Sequence, residues 1–254
     1  MNYKVNYVCQ CNTGKVRKEN QDNFWCMGNY LDSRNSGLLA PVTGSAEICD
    51  TPVFAVFDGI GGEQYGEIAA FIAAESLEKV YNDEHKNKSA KQFLDFSCEI
   101  MNNNICKYAE NNNIYSMGTT AAVLMFEKTS ACVCNLGDSK IYQYSDSSLI
   151  QRSQDHVSPS LFGGRKPALA QYLGIPEEEF VINPYIEEYQ CRPGDRFVIC
   201  SDGLTDMLSE NEIKCILSDY KDLPLCAEML LNTVLDKGGI DNVTIILCDF
   251  LENI

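Results

Sequence analysis

Apolar residues along this chain follow two rhythms, and their alternation sketches a fold. Positions 3–9, 23–27 and 53–57 read as strands, the last a continuous apolar run suited to burial on both faces. From Tyr65 the rhythm changes: Ile68, Ala69, Ile72, Ala73, Leu77 and Val80 recur at spacings of three and four and describe one face of a helix. Ser89, with Gln92 three residues later, forms a capping box that opens a second helix running towards Glu110. Runs at 119–126, 131–136, 140–144 and 148–152 lie too close together for helices and read as an antiparallel meander. The stretch 158–184 carries Gly163, Gly164, Pro167, Gly174, Pro176 and Pro184 with weak periodicity, an irregular excursion. Strands resume at 181–190, 196–200 and 242–250. Between the last two, Ser209 and Glu212 form another capping box, and a further helix covers 225–235. The segment 29–50, rich in Ser, Gly and Asn, reads as a surface loop joining two strands. Blocks of adjacent strands separated by paired helices predict an α+β layered domain occupying the whole of 1–254, not alternating βαβ units.

Charge narrows the function. Thirty-six Asp and Glu against 20 Lys and Arg give a net charge of −16, and the cations are scattered along the sequence. Nucleic acid and anionic membranes are therefore unexpected partners. No apolar run approaches the roughly 18 residues of a membrane span, and the opening MNYKVNYVCQC lacks the apolar core of a leader, so a cytoplasmic location is expected. In a reducing compartment the 13 cysteines act mainly as small hydrophobes, most of them inside apolar runs. The pairs Cys9/Cys11 and Cys132/Cys134 each point to one strand face. With only His85 and His156 to accompany them, a zinc site is disfavoured.

The candidate chemistry lies in aspartates placed at the ends of apolar strands. Asp22 precedes Phe24-Trp25. The run 53–57 passes straight into Asp58-Gly59-Ile60-Gly61-Gly62. Asp138 stands in Leu136-Gly-Asp-Ser139, Asp202 follows the run 197–200, and Asp241 precedes the final strand. An isolated Asp-Gly is a turn, but several carboxylates gathered at the ends of core strands repel one another unless cations sit among them. Oxygen donors with few histidines favour Mg²⁺ or Mn²⁺ over Zn²⁺, and Gly59 lets its own carbonyl approach an ion. Two such ions can acidify a bridging water and neutralise a phosphoryl group, which suits hydrolysis of a phosphate ester.

The segments Arg17-Lys-Glu-Asn-Gln-Asp22, Phe57-Asp58-Gly-Ile-Gly-Gly62, Met117-Gly-Thr-Thr120, Asn135-Leu-Gly-Asp138-Ser139, Ser201-Asp202-Gly203 and Gly239-Ile-Asp241-Asn242-x-Thr244 resemble, in order and spacing, the metal-dependent Ser/Thr protein phosphatases of type 2C, in their bacterial form. The resemblance implies a four-layer α-β-β-α sandwich, two antiparallel sheets flanked by helix pairs, and hydrolysis of phosphoserine and phosphothreonine by a hydroxide bridging two Mn²⁺ or Mg²⁺ ions. By the same resemblance Asp58 bridges the metals, Asp202 and Asp241 complete the shell of the first ion, and the Gly59 carbonyl serves the second. Asp138 joins Asp202 at a third ion, Asp22 contributes directly or through water, and Arg17 binds the phosphate. The stretch 158–184 corresponds to the family's flap.

Two departures stand out. Ile60 occupies a place where many members carry a histidine proposed as general acid, a role worth about 10²- to 10⁴-fold. Where some members have a glutamate before the first-motif aspartate, this chain has Gln21, which by the resemblance leaves more of the second ion's shell to water. His156, in an Asp-His pair, is expected to act structurally, and Trp25, Tyr142 and Tyr144 are expected in the core. Expected partners are phosphorylated proteins, substrates of a Ser/Thr kinase, with the chain a monomer. The alternatives are a catalytically weak or inactive regulatory module on this fold, and a phosphatase of small-molecule phosphates.

Overall fold

A computed structural model describes residues 2–60, 65–84, 87–158 and 167–253. Gly61, Gly62, His85 and residues 159–166 of the expected flap lie outside the described residues. The strands are β1 (Tyr3–Asn12), β2 (Asp22–Cys26), β3 (Val42–Glu47), β4 (Val53–Asp58), β5 (Ala121–Glu127), β6 (Ser130–Leu136), β7 (Lys140–Ser145), β8 (Ser148–Gln151), β9 (Tyr185–Gln190), β10 (Arg196–Cys200) and β11 (Val243–Glu252). The helices are α1 (Gly66–Glu84), α2 (Ala90–Asn111), the single-turn α3 (Asp202–Thr205), α4 (Glu210–Asp219) and α5 (Leu223–Asp236). Both capping boxes close as the sequence predicts, Ser89 with Gln92 and Ser209 with Glu212.

All strand pairings are antiparallel, in a six-stranded sheet ordered β3-β1-β11-β10-β7-β8 and a five-stranded sheet ordered β2-β4-β5-β6-β9. Strand alternation divides the apolar residues among three cores. Phe24, Phe54, Val56, Leu124, Val133, Phe197, Ile199 and Ile246 interdigitate between the sheets. Trp25, Ala55, Phe57, Val123 and Met125 face the other way and pack under α1 and α2. Tyr142, Val198, Cys200, Ile245 and Leu247 pack under α4 and α5. The result is the expected four layers, with Trp25, Tyr142 and Tyr144 buried. All 13 thiols are free, and all but Cys49, Cys106 and Cys215 are buried.

Two expectations are corrected. The segment 29–50 is not all loop, because Val42–Glu47 adds an edge strand to β1. Its sequence VTGSAE has no apolar run, since one side of the strand is free, and backbone pairing to an already formed strand decides it. The stretch 119–152 is not one meander: β5 and β6 belong to one sheet, β7 and β8 to the other. The chain crosses between sheets at Gly137-Asp138-Ser139. Gly137 sits at φ +105°, where a Cβ would come within 2.7 Å of Thr120 Cγ2, so only glycine fits the crossing.

Candidate active site and metal centre

The predicted residues arrive at one end of the sandwich from separate elements. Phe24 and Cys26 of β2 and Phe54 and Val56 of β4 face the central core. Stepping by twos puts Asp22 and Asp58 on that same face at the strand ends, and the register sets them opposite each other. On the facing sheet β10 ends at Cys200, Ser201 caps α3, and Asp202 is its first residue. Asp138 comes from the sheet crossing, and Asp241 from the loop before β11.

A cleft of about 240 Å³ is lined by Arg17, Asp58, Gly59, Asp138, Asp202 and Asp241, together with Ile60, Thr120, Pro167, Leu169 and Asp206. Asp22 does not line it. Its carboxylate lies behind, 2% exposed, and one oxygen accepts hydrogen bonds from Ser201 Oγ and Thr244 Oγ1, both at 2.7 Å. Arg17 reaches over the cleft and donates to Asp241 at 2.7 Å.

Backbone bonds hold the floor. Asp58 N donates to Thr120 Oγ1 at 3.1 Å and Thr120 N to Asp58 O at 2.9 Å. Thr120 Oγ1 also lies 2.7 Å from Ser139 Oγ, tying the Asp58 and Asp138 segments together. Gly59 N donates to Gln21 O at 3.1 Å, and a Cβ at Gly59 would sit 2.5 Å from the Gly66 carbonyl. The Asn242 side chain is the clamp for the Arg17 segment. It accepts from Gln21 N at 2.8 Å and donates to Thr13 O at 2.8 Å and Glu19 O at 3.0 Å.

The electrostatics are those of an under-neutralised cluster. Burial pushes the Asp58 carboxyl well above the usual carboxylate range, and Asp202, Asp22, Asp138 and Asp241 push it further. Asp22 rises from 3.8 to about 7, chiefly by burial. Its two hydroxyl donors pull it back, and Asp202 and Asp241 raise it. Among the described residues Arg17 is a cation on the other side of the balance, its pKa raised by its bond to Asp241 and by the charges of Asp202 and Asp58.

Among the described residues no three His, Cys, Asp or Glu close on one point as a finished cage. The carboxylates instead ring the cleft, with Asp241 held by Arg17 and Asp22 by hydroxyls. The donor set fits a hard divalent cation: oxygen donors only, an unbalanced negative charge around Asp58, and a glycine backbone beside it.

These shifts have a consequence for the metal-free protein. Between the ordinary carboxylate value of 3.8 and about 7, folded Asp22 holds a proton that the unfolded chain has released, so its contribution to stability is lost as pH rises through that window. In chelator, Asp22→Asn is expected to gain on the wild type in Tm as pH rises from about 5 to about 8. Thermal melts at a series of pH values check this, and parallel curves would contradict it.

The motifs contain Thr120, Asn242 and Thr244 without disclosing what they do, and the contacts above supply it. Two further carboxylates, Asp206 and Glu67, lie outside the motifs and are missed by sequence reasoning. Asp206 lines the same cleft as Asp202. It follows Asp202 by four residues, the spacing of one helix face, and that spacing is the signal that could have found it. Glu67 Oε2 accepts from Gln21 Nε2 at 3.3 Å, so a carboxylate stands beside Gln21. His156 stays outside the cleft. Burial lowers its pKa, and its Nδ1 finds no partner among the described residues, while its backbone N donates to Gly137 O at 2.9 Å.

Residues 45–236 match the family model for protein phosphatase 2C. The chain is 26% identical over 253 residues to the serine/threonine phosphatase stp of Listeria welshimeri, covering 93% of this chain and 92% of that one. It is 29% identical over 212 residues to the protein phosphatase PhpP of Streptococcus pneumoniae, covering 77% and 84%. The crystal structure of the catalytic domain of the phosphatase PstP with two manganese ions superposes with a TM-score of 0.78 at 24% identity, covering 98% of this chain and all of that one. Stp1 of Staphylococcus aureus gives 0.79 at 23%, covering 97% and 95%. At that identity the two structures speak for the fold. The chain belongs to the protein phosphatase 2C family and is a protein phosphatase of the bacterial type.

Proposed function

We propose that the whole chain forms one catalytic domain that hydrolyses phosphoserine and phosphothreonine monoesters on proteins. The observation that carries this reading is the convergence of Asp58, Asp138, Asp202 and Asp241 with Arg17 on a single cleft. In this reading Asp58, Asp202, Asp241 and the Gly59 carbonyl hold two Mn²⁺ or Mg²⁺ ions, and Asp138 with Asp202 holds a third. Bound there, such ions supply a hydroxide nucleophile at neutral pH and neutralise the phosphoryl oxygens. Asp22, held behind the cleft by Ser201 and Thr244, would serve the ions through water rather than as a direct ligand.

Arg17 steadies the substrate. Its side chain is 42% exposed at the cleft mouth, and its planar fork matches two oxygens of a phosphate, which compete with the Asp241 carboxylate for the same donors. Ile60 offers no proton to the leaving oxygen. Arg17 at the surface suits a phosphate displayed on a protein better than a small ester that must be enclosed.

The test is Mn²⁺-dependent phosphate release from phosphoserine and phosphothreonine peptides, compared with phosphotyrosine peptides and with nucleotide and sugar phosphates. Turnover on the first group, abolished by chelator, is expected. Turnover that survives chelation, or that is confined to the small phosphates, would overturn the reading.

A further inference from the structure

The loops that bring Arg17 and Asp241 together also display two aliphatic side chains. Val16, immediately before Arg17, is 62% exposed, and Ile240, immediately before Asp241, is 59% exposed. Each is thus the chain neighbour of one member of the 2.7 Å ion pair at the cleft mouth. The loops that carry them are fastened to each other. Lys15 N donates to Gly239 O at 2.8 Å, Asn242 Nδ2 donates to Thr13 O at 2.8 Å, and a Cβ at Gly14 would come within 2.3 Å of Asp241 O. Both side chains are β-branched and stiff at χ1, so ordering them against a partner costs little. Neither belongs to any of the three cores. Pro167 and Leu169 add apolar surface to the cleft wall itself.

A phosphorylated residue delivered to Arg17 brings its neighbours with it. Consecutive Cα atoms lie about 3.8 Å apart, so the flanking residues of the substrate pass close to the two loops that carry Arg17 and Asp241, and with them the exposed Val16 and Ile240. We propose that Val16 and Ile240 form an apolar subsite for the residue next to the phosphorylated one, favouring an aliphatic or aromatic flank in the substrate protein. The proposal rests on the reading that Arg17 receives the phosphate. Lys15 and Lys18 are also exposed on this segment, so an acidic flank is the competing preference. The carboxylates of Asp206 and Asp138 in the same cleft work against it.

The test uses three phosphothreonine peptides that differ only in the flanking residues, Leu, Ser or Asp, with p-nitrophenyl phosphate as a substrate without flanks. Wild type is expected to show a KM about tenfold lower for the Leu peptide than for the Ser peptide, with similar kcat. The double variant Val16→Ser/Ile240→Ser is expected to lose that preference while turning over p-nitrophenyl phosphate as the wild type does. A Leu preference that persists in the double variant would overturn the subsite. So would equal KM values in the wild type, or the Asp peptide as the best substrate. Turnover of p-nitrophenyl phosphate without any flank preference defeats the subsite alone, whereas no turnover of any ester defeats the phosphatase reading and the subsite with it.

Discussion

Asp58→Asn is expected to cut Mn²⁺-dependent hydrolysis of a phosphothreonine peptide by about three orders of magnitude or more, with the fold intact. The Asp58 carboxylate feels all four of the others, Asp202, Asp22, Asp138 and Asp241. Removing its charge therefore removes the centre of the cation-binding field. The amide is nearly isosteric, and the bonds that fix this position run through the backbone, to Thr120 Oγ1 and Thr120 N. The β2–β4 register has no reason to shift. Stability should move in the opposite direction to activity. The raised Asp58 carboxyl means that its ionised form is disfavoured by the fold, so the neutral variant is expected to melt above the wild type when both are metal-free near neutral pH. Added Mn²⁺ should reverse that order, because the wild type gains more from binding. Peptide assays, Mn²⁺ calorimetry and melts with and without chelator check the three parts, and a variant that retains wild-type turnover would remove Asp58 from the mechanism.

Gly203→Ala is expected to be the most damaging single-methyl change near the site. A Cβ there would sit 1.9 Å from Asn242 O, 2.9 Å from Asn242 C and 3.2 Å from Val243 Cα. All three atoms are backbone, and Asn242 is held in place by Gln21 N, Thr13 O and Glu19 O. Nothing there can give without moving either α3 or the loop before β11. Asp202 and Asp241 ride on those two elements, so relief of the clash separates two proposed ligands of one ion. A loss of about 3 kcal/mol in stability is expected, with weakened Mn²⁺ binding in whatever protein folds. Gly194→Ala is the control. Its surroundings are open within 4 Å, but its φ of +98° is strained for any side chain. It should lose stability more modestly and keep Mn²⁺ affinity. Denaturant melts and calorimetry on both variants separate steric displacement of the ligands from backbone strain alone.

The chain's acidity first serves only to set aside nucleic acid and membranes. The structure accounts for part of it, because Asp22, Asp58, Asp138, Asp202 and Asp241 gather at one end of the sandwich, with Asp206 beside them, and among the described residues Arg17 faces them. No helix among the described residues is long and apolar enough to cross a membrane.

Elements whose information is local are legible in the residues alone. The helix face from Ile68 to Val80, the capping boxes at Ser89 and Ser209, and the strands rich in β-branched and aromatic residues can be read because periodicity and capping act between near neighbours. The proposed ligands are legible for a related reason: an aspartate at the end of a buried apolar strand contradicts its surroundings, and several such contradictions in one chain point to a cation. Whatever depends on two distant segments meeting waits for the folded chain. The edge strand Val42–Glu47 forms because β1 offers it a backbone ladder. The 119–152 run divides between two sheets because of a turn at Gly137, and that division carries Asp138 into the cleft. Asp22 stands behind the cleft because Ser201 and Thr244, 179 and 222 residues away in sequence, supply hydroxyls to its carboxylate. Register, sheet crossing and hydrogen-bond partnership are set by closure of the whole chain, and no local pattern of residue types encodes them.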